Sequence, residues 1–269
     1  IYGKVYITPS LKTGSLPTQA LKEGIISYLA TKNIGAILPE IVDPEYTSIQ
    51  LDVGIKYDEN KTTKTVGELE ALIRAEITNY NALFLQTFGG VLRHSQLLTT
   101  LDNTDDGVIS STIKPTLYKM FTPNPTQNSS YTILYPSKIF LHGDDDFSLD
   151  STEFVIDGIT AKIGDEPITG STTVRRVFFY DALTEVKLPS YTDVGTVDGT
   201  TGIVQINSIK FDTANTITIY VIPDAFDIAP KFNQLLQIIP ADVSVTMSKD
   251  SISANGQSGV TDFETFSRL

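Results

Sequence analysis

The sequence predicts an α+β domain, a small mixed sheet with helices on one face, followed by a mainly-β sandwich or open barrel. Three observations carry this. Between Leu16 and Ile113 the hydrophobic period changes from helix to strand to helix to helix to strand, with a start or stop signal at each change. Beyond Pro115 the helical period fades, and short β-favouring runs recur between turn clusters. Hydrophobic residues make up 41% and charged residues 19% of the 269, the balance of a globular chain that buries roughly 70–75% of its unfolded surface.

In chain order, Gly3 to Thr8 alternates Lys4 and Tyr6 with Val5 and Ile7 before Pro9, which reads as a short strand. Pro17 suits a first helical position, and Leu21, Ile25, Tyr28 and Leu29 recur at helical spacing through Ala30, so an amphipathic helix is expected up to Asn33-Ile34-Gly35. Ile49, Leu51, Val53, Ile55 and Tyr57 then alternate with Gln50, Asp52, Gly54 and Lys56, the pattern of a strand buried on one face and wet on the other. Thr65 and Glu68 form a capping box ahead of a helix whose stripe is Leu69, Leu72, Ile73, Ile77 and Tyr80. Gly89-Gly90 breaks the chain, Ser95 to Leu101 is a short third helix, and Asp105-Asp106-Gly107 turns into a strand from Val108 to Ile113.

Pro123-Asn124-Pro125 and Asn128-Ser129-Ser130 read as a linker or long surface loop. Beyond it the expected strands are Tyr131 to Tyr135, Lys138 to Leu141, Phe154 to Ile156, Val174 to Tyr180, Ile203 to Phe211, Thr216 to Ile222 and Val243 to Met247. The expected organisation is therefore an α+β domain over 1–115, a mainly-β domain over 116–247 and a flexible Ser/Gly-rich tail over 248–269.

Composition narrows the function. A formal charge of −12, from 32 acidic and 20 basic residues, repels phosphate backbones, so nucleic acid is not an expected partner. The absence of cysteine removes disulfides, thiolate nucleophiles and Cys-ligated zinc. No apolar run reaches the ~20 residues that cross a bilayer, and no secretory signal opens the chain. The missing initiator Met suggests a processed chain or a piece of a longer polypeptide, and the sequons at Asn60 and Asn128 read as chance matches.

Candidate chemistry is sparse. Asp102 to Ile113 starts like a calcium loop, but Thr104 and Ile113 occupy two ligand positions, so an acidic turn is expected over a weak cation site. Asp144-Asp145-Asp146 after His142-Gly143 offers hard oxygen ligands, yet a loop run of like charge is more often solvated. His94 and His142 lack metal-motif spacing, no nucleophile elbow exists, and Gly89-Gly90 has no phosphate-cradle context. Leu83 to Phe88 is more apolar than one helix face requires, so it either fills the core or meets another protein; Phe84, Leu85 and Phe88 are the candidate interface residues. Arg175-Arg176 within a strand places one guanidinium on each face, and a buried one needs a carboxylate or an aromatic stack.

Leu21 to Leu29, Ile41-Val42-Asp43-Pro44-Glu45-Tyr46, the strand Ile49 to Tyr57, the helix after Thr65, Phe88-Gly89-Gly90-Val91-Leu92, Ser95 and the strand after Gly107 together resemble the baseplate J-like family of contractile phage tails. Asp198 to Asn207 and Asp227 to Gln234 look like the C-terminal region of the large baseplate wedge subunits of T-even-like bacteriophages, which extends the resemblance over roughly residues 1–240. The resemblance implies a virion scaffold assembled in the bacterial host cytoplasm. Such subunits dimerise and link neighbouring wedges into a ring around the hub, without enzymatic activity or cofactor; from the residues themselves no metal site and no membrane partner is expected. Two other readings stay open on the residues: a carbohydrate- or receptor-binding tail module, and a metal-dependent hydrolase built on Asp144, Asp145 and His142.

Overall fold

A computed structural model describes residues 4–9, 17–32, 38–144, 146–231 and 234–250. The first strand, β1 (Lys4–Ile7), pairs in parallel with β2 (Leu38–Ile41), and the helix α1 (Gln19–Ala30) crosses between them. Thr18 caps α1 by accepting the Leu21 amide, so Pro17 stands just outside the helix, not at its first position. β2 was not expected: four residues containing Pro39 carry no legible period.

β3 (Glu45–Tyr57), α2 (Val66–Tyr80), α3 (His94–Asp102) and β4 (Val108–Phe121) follow. β3 and β4 pair in antiparallel fashion from Ser48↔Tyr118 to Tyr57↔Val108. The alternation expected in β3 is present: Ile49, Leu51, Val53, Ile55 and Tyr57 are buried, and α2 turns Leu69, Ile73, Ile77 and Tyr80 into the same core. The capping box forms in full, with Glu68 accepting the Thr65 amide at 2.7 Å.

β4 runs eight residues past its expected end, and the boundary expected near 116 falls inside it. β5 (Ser129–Leu134), β6 (Leu149–Ser151), β7 (Phe154–Ile156), β8 (Ile159–Pro167), β9 (Val174–Asp181), β10 (Gly195–Asp198), β11 (Ile203–Ile209), β12 (Ile217–Val221) and β13 (Gln234–Lys249) complete the described elements. They build two large sheets. One is mixed and five-stranded, in the order β13-β3-β4-β12-β6, with β13 parallel to β3; the other is antiparallel and six-stranded, in the order β5-β11-β10-β9-β8-β7. The later part of the chain thus returns three strands to the sheet that the earlier part begins.

The two sheets meet through an aromatic cluster. Phe121 at the end of β4 lies 4.7 Å from Tyr131 of β5 and 6.0 Å from Phe211, which also touches Phe154 and Phe179 at 5.3 and 5.8 Å. Such ring pairs add about 0.5–1.5 kcal/mol each beyond their buried area. Ile217, Ile219 and Val221 of β12 join the same buried cluster as Ile49, Leu51 and Ile73 beneath the helices, so the core is continuous from one end of the five-stranded sheet to the other.

Lys138 to Leu141 is not a strand. Ile139 makes only an isolated bridge, opposite Pro223, which has no N–H to extend a ladder. The tail expected from 248 begins inside β13, which ends at Lys249; residues 251–269 lie outside the described residues.

Candidate interaction surface

The apolar stretch after α2 is divided by backbone geometry. At Asn81 the helix widens into a π-helical turn, Asn81–Leu85, a local departure often found where a protein has a functional surface. The Asn81 side chain accepts the Ile238 amide at 2.8 Å, tying the turn to β13. Leu85 points into the core and is fully buried, whereas Leu83, Phe84 and Phe88 are 68%, 39% and 45% exposed. Of the three candidate interface residues, Phe84 and Phe88 offer surface, and Leu85 is corrected to a core residue because the widened turn swings it onto the sheet. Phe84 rests against the buried Tyr80 at 4.9 Å, which holds its ring in place. Gly90 closes the segment: a Cβ there would lie 2.3 Å from the Phe84 carbonyl oxygen.

α3 begins beside this knob without a cap of its own, since Arg93 at the cap position makes no side-chain capping bond. Asp227 supplies it from far along the chain. Its carboxylate accepts the His94 amide and the Arg93 guanidinium, each at 2.9 Å, and the helix amide and the guanidinium hold it below the usual carboxylate range. The sequence gives no local hint of this partner. The His94 ring packs at a tilt against Phe226, with centroids 5.1 Å apart, so His94 has a packing role.

The acidic loop is organised from beneath. Arg175 of β9 is buried and pairs through Nε with Asp165 of β8 at 2.5 Å. Its Nη1 donates to the carbonyl oxygens of His142 and Asp144, and its Nη2 to that of Asp146. Asp165 in turn accepts the Ser148 and Leu149 amides. The expected division of Arg175 and Arg176 holds, because Arg176 lies on the other face near Glu166 and Asp193. With its carbonyls turned inward, the loop presents His142, Asp144 and Asp146 outward, their ligand atoms all within 4.8 Å of one another. Of the alternative hydrolase set Asp144, Asp145 and His142, the structure brings His142 and Asp144 together, and Asp145 lies outside the described residues. The guanidinium accounts for the loop's shape without a cation, and His142 is 3.9 Å from Asp144.

The calcium-like segment closes on itself. Asp105 accepts the Gly107 amide and pairs with Lys64, which holds its carboxyl below the ordinary range, while Asp102 accepts the Ser111 hydroxyl. It behaves as an acidic turn feeding β4.

Adjoining depressions open along the five-stranded sheet: two share Gln50 and Tyr220, and a third, joined to the first at Thr116 and Ile222, is lined by His94 and Leu98 of α3. Tyr118 is fixed there by donating to Asp242, and burial, with that carboxylate beside it, pushes its hydroxyl up to about 12. Charge is distributed unevenly over the molecule. Residues 142–227 hold fifteen acidic and five basic side chains, against seventeen and fifteen in all the rest.

Residues 45–120 match the family described as "Baseplate structural protein gp6, C-terminal domain III", a span that coincides with β3, α2, the π turn, α3 and β4. Over 109 residues, 40% of this chain, the sequence is 30% identical to the "Baseplate wedge protein gp6" of Enterobacteria phage T4, and that stretch spans 16% of the relative's length. These matches do not bear on the baseplate J-like resemblance. They support a kinship with the baseplate wedge proteins, carried by the two central strands and the helices that cover them.

Proposed function

We propose that the chain is part of a structural subunit of a contractile-tail baseplate, a virion scaffold and not an enzyme, which dimerises and links neighbouring wedges into a ring around the hub. The observation that carries this reading is the match over 45–120, because it spans a complete packing unit of strand pair plus covering helices. The Leu83–Phe88 knob lies inside that unit and exposes Phe84, held against Tyr80, together with Phe88. Aromatic anchors at a fixed apolar patch suit protein contact, and we assign Phe84 and Phe88 to a neighbouring wedge subunit.

The test is light scattering on the chain alone, and co-purification with co-expressed wedge subunits of a contractile-tail baseplate. The expected result is a dimer that retains a wedge partner, and a Phe84→Glu, Phe88→Glu variant that folds but loses that partner. A monomer that binds no tail subunit at micromolar concentration refutes the reading.

A further inference from the structure

β13 leaves one edge of the five-stranded sheet open. Among the described residues its one strand neighbour is β3, whereas the opposite edge is blunted by the three-residue β6. The Asp250 amide donates to the Tyr57 carbonyl, and Lys249 stands opposite Tyr57. In a parallel ladder this sets the parity: Ser244, Thr246, Ser248 and Asp250 turn their backbone groups to β3, and Val243, Val245, Met247 and Lys249 turn theirs outward. The earlier outward groups are taken up, since Asn81 accepts the Ile238 amide and Arg74 donates to the Val243 carbonyl. Beyond them the outward N–H and C=O groups of Val245, Met247 and Lys249 meet no described partner. An edge of this kind is a template for another strand, and proteins cover such edges.

We propose that the occupant is the chain's own segment Thr261 to Thr265, brought back antiparallel along β13 by a tight turn at Ala254-Asn255-Gly256. The segment follows Asp250 after ten residues, and so short a tether raises its effective concentration at the edge to the order of millimolar. Asn255-Gly256 is a hairpin signal. The parity of the edge selects the loop. A two-residue loop at Asn255-Gly256 would put even-numbered β13 residues in the hydrogen-bonded pairs, and those already face β3. A three-residue loop with Gly256 in the left-handed conformation sets Lys249 opposite Thr261, Met247 opposite Phe263 and Val245 opposite Thr265, all through the outward groups. Side-chain chemistry agrees with that register. Phe263 falls on the face where Val245 and Met247 pack on the core, while Asp262 and Glu264 fall on the other, beside the exposed Ser248 and Thr246.

Hydrogen exchange followed by NMR on the full chain tests the proposal. The amides of Val245, Met247 and Lys249 are expected to exchange slowly, at rates independent of protein concentration. Gly256→Val, which disfavours the left-handed turn, and Phe263→Pro, which removes a ladder donor, should each speed them by at least ~10-fold. Both positions lie outside the described core, and the amides of Thr246 and Ser248, which face β3, serve as the internal control and stay unchanged. Fast exchange at the three outward amides of the unaltered chain overturns the proposal. So does protection that survives both substitutions, or protection that grows with concentration, which would mean a strand supplied by another molecule.

Discussion

Replacing Arg175 with Met keeps the aliphatic stem and removes every donor. In the folded protein Asp165 has no solvent exposure and the Arg175 side chain has 4%. The substitution abolishes that ion pair and strips the carbonyls of His142, Asp144 and Asp146 of their shared donor. Summing charge-assisted bonds at ~1.5–3 kcal/mol each would overstate the loss, because the wild-type guanidinium is itself desolvated. Breaking a buried pair by removing one partner costs about 3–5 kcal/mol, since the remaining charge is left uncompensated. The Ser148 and Leu149 amides still solvate Asp165 in part, which argues for the lower half, about 3–4 kcal/mol. At roughly 2–4 °C per kcal/mol for a chain of this order of size, Tm should fall by about 6–16 °C. Adding Asp165→Asn removes the stranded charge, so the double variant should recover at least ~1 kcal/mol relative to additivity. Calorimetry measures the first effect, and faster exchange of the Ser148 and Leu149 amides reports release of the loop. A loss under ~1 kcal/mol for Arg175→Met, or strict additivity with Asp165→Asn, would refute the argument that the guanidinium organises this loop.

Thr65→Ala removes half of the capping box on α2 and should cost about 1 kcal/mol, read as a lower urea midpoint at unchanged slope. Acid should weaken the fold in a defined window. Glu68 is held below its ordinary value by the Thr65 amide, Asp105 by Lys64, and Asp227 by the His94 amide and Arg93. Each therefore binds protons less readily when folded, so the stability it lends is present in full above the ordinary carboxylate range and drains away as pH falls below about 4. A urea midpoint that stays flat from neutral pH down to about pH 3 contradicts this.

What the sequence disclosed depended on whether the reason for a residue was local. The period of two in β3 was legible because, from Ile49 to Tyr57, one face is buried in the core it shares with α2 and the other is partly or fully open to solvent. The capping box was legible because both its members sit within one turn. β8 was not legible, because Gly164, Asp165 and Pro167 read as turn residues while their reasons lie on a neighbouring strand: a Cβ at Gly164 would sit 3.0 Å from the Phe178 ring, and Asp165 serves Arg175. Pro115 looked like the end of β4, yet β12 pairs with that strand only from Leu117 onward, so on that side the missing N–H interrupts no ladder. The first half of β13 was hidden by the register shift between Ile238 and Val243, which spans Pro240.

The candidate surface divides along the same line. Local composition showed that Leu83 to Phe88 holds more apolar side chains than a helix face needs, and that Arg175 requires a buried carboxylate. Which phenylalanines face outward was decided by the π turn and by Gly90 against the Phe84 carbonyl, and α3 takes its cap from Asp227, more than a hundred residues away. The span matched to the baseplate family is the part whose core is made from its own strands and helices, β3 and β4 beneath α2 and α3. The β1-α1-β2 arm lies outside that span, and among its described residues none of α1 is buried. A unit that closes its own core can be recognised from its own sequence, whereas a helix with no buried residue shows only a partial pattern.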